Sequence, residues 1–137
     1  MRRNLLVGVG SCVLVLGLSA GVAWAADSMS VNIPFAFTVA GTALPAGTYD
    51  VGPPGNDMSK LVIQSSGAVG GVGATVAPVL ERLANLGTKH PVVVFDKVEG
   101  TYYLSEAHYP GMDGFLVGIQ GGKETHEVIT GKPMKSP

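Results

Sequence analysis

Glu106 and His108 stand two residues apart in an alternating segment, and Glu124, His126 and Glu127 gather near the C-terminus. Imidazole nitrogen and carboxylate oxygen suit zinc and similar divalent ions, and a pair of strands can hold two such ligands side by side. Residues two apart on a strand share a face, so Glu106 and His108 can act together. The candidate metal ligands are therefore Glu106, His108 and His126, although Thr125-His126-Glu127 matches no established ligand spacing. The plainer account makes them solvent-facing polar residues on exposed strands, and on that account the chain takes no metal and no cofactor. His90, before Pro91, reads as a loop residue.

Nucleophilic catalysis has less to draw on. No Gly-x-Ser-x-Gly elbow occurs, and no serine stands in a recognisable context with His and Asp. Asp96, Glu99 and Glu106 offer carboxylates for glycoside cleavage, but a two-residue turn at Glu99-Gly100 puts Asp96 and Glu106 on opposite faces. The glycine-rich run over residues 67–73 lacks the following helix and the Lys-Ser/Thr that a phosphate-cradling loop requires. The expectation is thus a non-catalytic protein. Two alternatives stand beside it: a small-ligand or divalent-metal module built on Glu106, His108 and His126, and a hydrolase whose triad assembles only in space. Tyr102, Tyr103 and Tyr109 add a different chemistry, because tyrosines left exposed bind sugars and proteins well.

The elements that must position these residues begin after an export signal. Arg2 and Arg3 precede an uncharged apolar run over residues 5–22 that ends in Ala23-Trp24-Ala25. A basic end, an apolar stretch and small residues at the exit form a cleavable secretory signal, with cleavage between Ala25 and Ala26. The rival is an uncleaved membrane anchor, against which Gly8, Gly10, Gly17 and Gly21 weigh by weakening a permanent helix. Cys12 sits too early in the apolar run for a lipoprotein acceptor.

Removing 25 of 137 residues leaves 112, enough for one domain over residues 26–130 with a tail over 131–137. The mature chain has no cysteine and so no disulfide. Its seven Lys/Arg against ten Asp/Glu, with no basic cluster, exclude nucleic acid as a main partner. A membrane enters only through the signal segment if it stays attached. The address is periplasmic or extracellular.

Within the domain the pattern is that of short strands. Val31, Ile33, Phe35, Phe37 and Val39 alternate with polar or small residues over residues 30–39, which predicts one strand with an apolar face. Pro34 has no N–H for a ladder and places that strand at an edge or bulge, where another copy of the chain could add. Pro45 and Gly47 then turn the chain into Tyr49-Asp50-Val51, and residues 60–64 form a further strand. Leu80, Leu83 and Leu86 allow either a helix or a strand over residues 79–86. A hairpin about Glu99-Gly100 pairs Phe95 with Leu104, Lys97 with Tyr102, Asp96 with Tyr103, Val94 with Ser105 and Val93 with Glu106. Further strands are expected over residues 115–120 and 126–130. Seven or eight strands with Gly/Pro turns predict an all-β antiparallel sandwich or small barrel.

Two segments carry a resemblance: Ile33-Pro34-Phe35-Ala36-Phe37 with Leu44-Pro45-Ala46-Gly47-Thr48-Tyr49, and Val94-Phe95-Asp96-Lys97 with Tyr102-Tyr103-Leu104-Ser105-Glu106. In these the chain resembles small exported β-rich proteins of acidobacterial type. That resemblance implies export and a β fold, and it carries over no activity. The expected role is surface recognition or an envelope or extracellular component, with a protein or carbohydrate partner. Exported protein is expected to begin at Ala26, which intact-mass measurement of material from periplasm and medium reads directly. A membrane-bound product that keeps residues 1–25 would establish the anchor instead.

Overall fold

The computed structural model describes residues 28–66, 73–122 and 124–134. The signal segment, Cys12, the Ala25/Ala26 junction and most of the glycine-rich run lie outside the described residues. Among the described residues every regular element is a strand: β1 (Met29–Ile33), β2 (Phe37–Val39), β3 (Thr42–Leu44), β4 (Gly47–Gly52), β5 (Lys60–Ser65), β6 (Thr75–Pro78), β7 (Glu81–Leu83), β8 (Val92–Val98), β9 (Thr101–His108), β10 (Gly114–Leu116), β11 (Thr125–Thr130) and β12 (Lys132–Pro133). They make two curled sheets, one in the order β12-β1-β4-β5-β6 and the other β11-β8-β9-β10-β7. In the second sheet β2 lies parallel to β9 and carries β3 on its other side. The described residues are therefore all-β, in a curled sandwich or half-barrel form.

The alternation over residues 30–39 does not make one edge strand. Pro34 is exposed and lies between β1 and β2, where the chain leaves the first sheet for the second. The pattern survives this break because both sheets face one core: Val31, Ile33, Phe37 and Val39 are all buried. β1 itself runs between β12 and β4, so Pro34 marks a crossover and not a sheet edge.

Aromatic rings fasten the crossover to the second sheet. Phe35 stacks on Tyr102 at 3.7 Å between centroids and meets Phe95 edge-on at 5.0 Å. Phe37 meets the same Phe95 at 5.4 Å and Tyr49 at 5.2 Å. Such edge-to-face pairs add to the area they bury. Tyr49 also closes its own turn, its hydroxyl donating to the Pro45 carbonyl at 2.6 Å, and burial pushes its phenol above the ordinary tyrosine range. Tyr109 ties the two sheets together, its hydroxyl donating to the Val51 carbonyl at 2.7 Å.

The central hairpin keeps the expected register near its turn and loses it farther out. Phe95 pairs with Leu104, Asp96 with Tyr103 and Lys97 with Tyr102, and both Glu99 and Gly100 take positive φ, as a primed two-residue turn requires. Beyond Leu104 the pairing shifts, so that Val94 faces Glu106 and Val93 faces Ala107. Ser105 is the extra residue of a β-bulge. Its carbonyl accepts the N–H groups of Val117 and Gly118, and its hydroxyl donates to the Gly118 carbonyl. Gly118 allows that approach, since a Cβ there would lie 2.6 Å from the Leu104 carbonyl oxygen. The expected strand over residues 115–120 accordingly stops at Leu116.

Two further expectations resolve. Residues 81–83 form a strand paired with β10, so the ambiguous leucine segment is not helical there. Lys132 and Pro133 pair with Ser30 and Met29, so the β-domain continues past residue 130 into the expected tail. Phe95, fully buried at the centre of the aromatic contacts, tests the core. Phe95→Ala is expected to lower unfolding free energy by about 3–5 kcal/mol in urea titration, against within about 0.5 kcal/mol for exposed Glu127→Ala.

Candidate functional site

The Ser105 bulge decides which face the polar residues occupy. Without it Glu106 would alternate to the face opposite Asp96; with it Glu106 pairs with Val94 and joins Asp96 on the outer face of the second sheet. The expected opposition of these two carboxylates therefore does not hold. Tyr103, Glu106 and His108 line this face of β9, while Leu104 and Ala107 turn into the core.

Glu106 and His108 meet as their spacing implies. His108 Nε2 lies 2.7 Å from Glu106 Oε1, with the imidazole side chain only 3% exposed and the carboxylate 30% exposed. Gly114 stands beside His108 on β10, and a Cβ there would lie 2.3 Å from His108 Nδ1. The ring thus fills the space a side chain would take. Its Nδ1 is buried with no hydrogen-bond partner among the described residues, which favours the tautomer that donates from Nε2 to Glu106 and leaves Nδ1 a lone pair.

His126 joins neither of them. It pairs across β11 and β8 with Asp96, its Nδ1 lying 2.8 Å from Asp96 Oδ1. Glu124, just before β11, completes a group in which one ligand atom each from Asp96, Glu124 and His126 lies within 4.8 Å of the others. Asp96 is nearly buried at 5% side-chain exposure, whereas the His126 side chain is 58% exposed. Of the three sequence candidates, then, two form one pair and the third belongs to another. The Glu124-x-His126 spacing was a visible signal, but Asp96 enters only through the pairing of β11 with β8. His90 is exposed outside the strands, as its loop position implies.

A cleft opens where the edge of β9 is shared. β2 pairs with Tyr102 and Tyr103, and β10 pairs with Glu106 and Ala107, leaving a gap at Leu104. The cleft has a volume of about 380 Å³, with Leu104 and Val117 among its apolar lining and Thr38, Tyr103 and Gln120 among its polar lining. Leu80 and Ile119 also line it and remain 55% and 70% exposed. Tyr103 is the tyrosine that lines this cleft, while Tyr109 is buried and Tyr102 is stacked on Phe35.

Compared with protein-family models, curated proteins and solved structures, the chain matches none. The tight seat of His108 supplies a test. Gly114→Ala is expected to displace the imidazole, break its bond to Glu106 and cost about 1–3 kcal/mol of stability as an overpacked site. Denaturant titration with ¹⁵N spectra of the histidine rings reads both effects. An unchanged His108 signal at unchanged stability would contradict this placement of the ring.

Proposed function

We propose that the chain is an exported, non-catalytic recognition domain that binds an uncharged ligand with an apolar face in the cleft beside β9. A neutral sugar ring is the ligand with that chemistry. One observation carries the reading: Leu80 and Ile119, both large, apolar and more than half exposed, flank the same concave surface. Exposed apolar groups gathered at a cleft are costly in water and gain most from a ligand that covers them.

The polar lining supports the same chemistry. Thr38, Tyr103 and Gln120 offer hydrogen-bonding groups around an apolar floor, and among the described residues the lining contains no carboxylate, imidazole or amine. Such a surface orients a neutral ligand and supplies neither an ion pair nor an acid–base couple. Its volume falls within the range of small-ligand sites, roughly 300–1,000 Å³. Export supports a ligand met outside the cytoplasm, and the segment over residues 1–25 supports export.

NMR titration with neutral mono- and disaccharides is expected to shift the amide signals of Thr38, Tyr103 and Ile119 selectively. Ile119→Ala should weaken binding roughly tenfold, as expected for about 1.4 kcal/mol of lost apolar contact. Saccharides that leave these signals unmoved, or that bind Ile119→Ala as well as the parent, would overturn the reading.

A further inference from the structure

We infer that Asp96, Glu124 and His126 form a binding site for a divalent transition cation of the zinc type. The site shares no residue with the cleft and does not depend on the cleft's ligand. Its geometry comes first: the three donor atoms lie within 4.8 Å of one another, close enough to converge on an ion at roughly 2.0–2.2 Å from each after small side-chain rotations.

A second observation, outside the spacing of the cluster, points to a cation. The Asp96 side chain is 5% exposed, yet among the described residues no lysine or arginine pairs with it. Lys97, its neighbour, lies over the Tyr102 ring at 5.2 Å. Among the described residues its one hydrogen-bond partner is the exposed imidazole of His126, whose Nδ1 lies 2.8 Å from Asp96 Oδ1. A nearly buried carboxylate gains from a close charge partner, and among the described residues only the exposed His126 imidazole stands beside it as one. A divalent ion held by Asp96 and Glu124 would balance both carboxylates.

The donor set selects the type of ion. Magnesium and calcium prefer all-oxygen shells, whereas one imidazole with two carboxylates suits zinc and its neighbours. The supporting elements differ in rigidity in a useful way. Asp96 is held on β8, inside the sheet between β11 and β9, while His126 and Glu124 are exposed at the edge. The buried ligand is preorganised and the exposed ones leave an entry path. Three protein donors also leave a tetrahedral ion one position for water.

Glu106 and His108 do not offer the same site. They supply two donors, and the remaining nitrogen of His108 is packed against Gly114.

Calorimetric titration of the full chain with zinc chloride is expected to show one site. Glu124→Gln and His126→Ala alter exposed side chains, so both variants should fold, which circular dichroism checks. Each should weaken zinc binding at least about tenfold, the lower end of what even indirect ligand support contributes. His90→Ala should leave it unchanged. Cobalt substituted for zinc should give visible ligand-field bands that His126→Ala abolishes. No zinc binding by the parent chain would overturn the assignment, as would affinity that survives both Glu124→Gln and His126→Ala.

Discussion

The extra residue at Ser105 is the constraint on which the arrangement of this surface depends. A regular hairpin would carry its alternation unbroken from the turn to His108, turning Glu106 into the core and Ala107 and Leu104 to different faces. One inserted residue reverses the phase. Leu104 and Ala107 then both face inward, and Tyr103, Glu106 and His108 all face out. The carbonyl freed by the bulge is not left unpaired, because Val117 and Gly118 donate to it. That exchange ends β10 after Leu116 and lays residues 117–120 along the cleft. The same residue therefore sets both the polar face and the recess beside it.

The two His–carboxylate pairs on this face have the same chemistry and different surroundings. His108 is enclosed, fitted over a glycine and bonded to a carboxylate at its side, so the pair fills space and fixes the outer surface of β9. In the other pair the burial is inverted: Asp96 is enclosed and His126 exposed. The His108 imidazole packs its ring as an apolar body and keeps one bond, to Glu106, while its buried Nδ1 has no hydrogen-bond partner among the described residues. A nearly buried carboxylate loses hydration and gains from whatever partner reaches it from the solvent side. The asymmetry of Asp96 and His126 thus separates a packing device from a place where a cation gains.

Local chemistry was legible in the sequence wherever a short-range pattern carries it. Alternation placed Val31, Ile33, Phe37 and Val39 in the core, and the Glu99-Gly100 turn fixed the partners of Phe95, Asp96 and Lys97. The spacing of Glu106 and His108 also placed them on one face, where they meet, although His108, 3% exposed, is not the solvent-facing residue expected. What the pattern concealed was long-range. Pro34 is compatible with an edge, a bulge or a crossover, and only the placement of both sheets around one core selects the crossover. Ser105 is polar where either face would accept it, so no residue type announces the bulge. Asp96 meets His126 through the pairing of β8 with β11, strands separated by β9 and β10, and no local spacing encodes that meeting.

The segments that carry the resemblance are largely occupied in holding the fold. Phe35, Phe37, Tyr49, Phe95 and Tyr102 pack on one another, and the Leu-Pro-Ala-Gly-x-Tyr turn closes through the bond from Tyr49 to Pro45. A side chain committed to an interior contact cannot also meet a ligand. The residues of these segments left for recognition are those turned outward, chiefly Asp96, Tyr103 and Glu106. Leu80, Ile119, Glu124 and His126, which stand outside the motifs, supply the rest of the exposed chemistry. A chain can therefore keep the motifs and the fold while changing what it binds, because the framework presents a few outward residues and the loops and edge strand beside them complete the site.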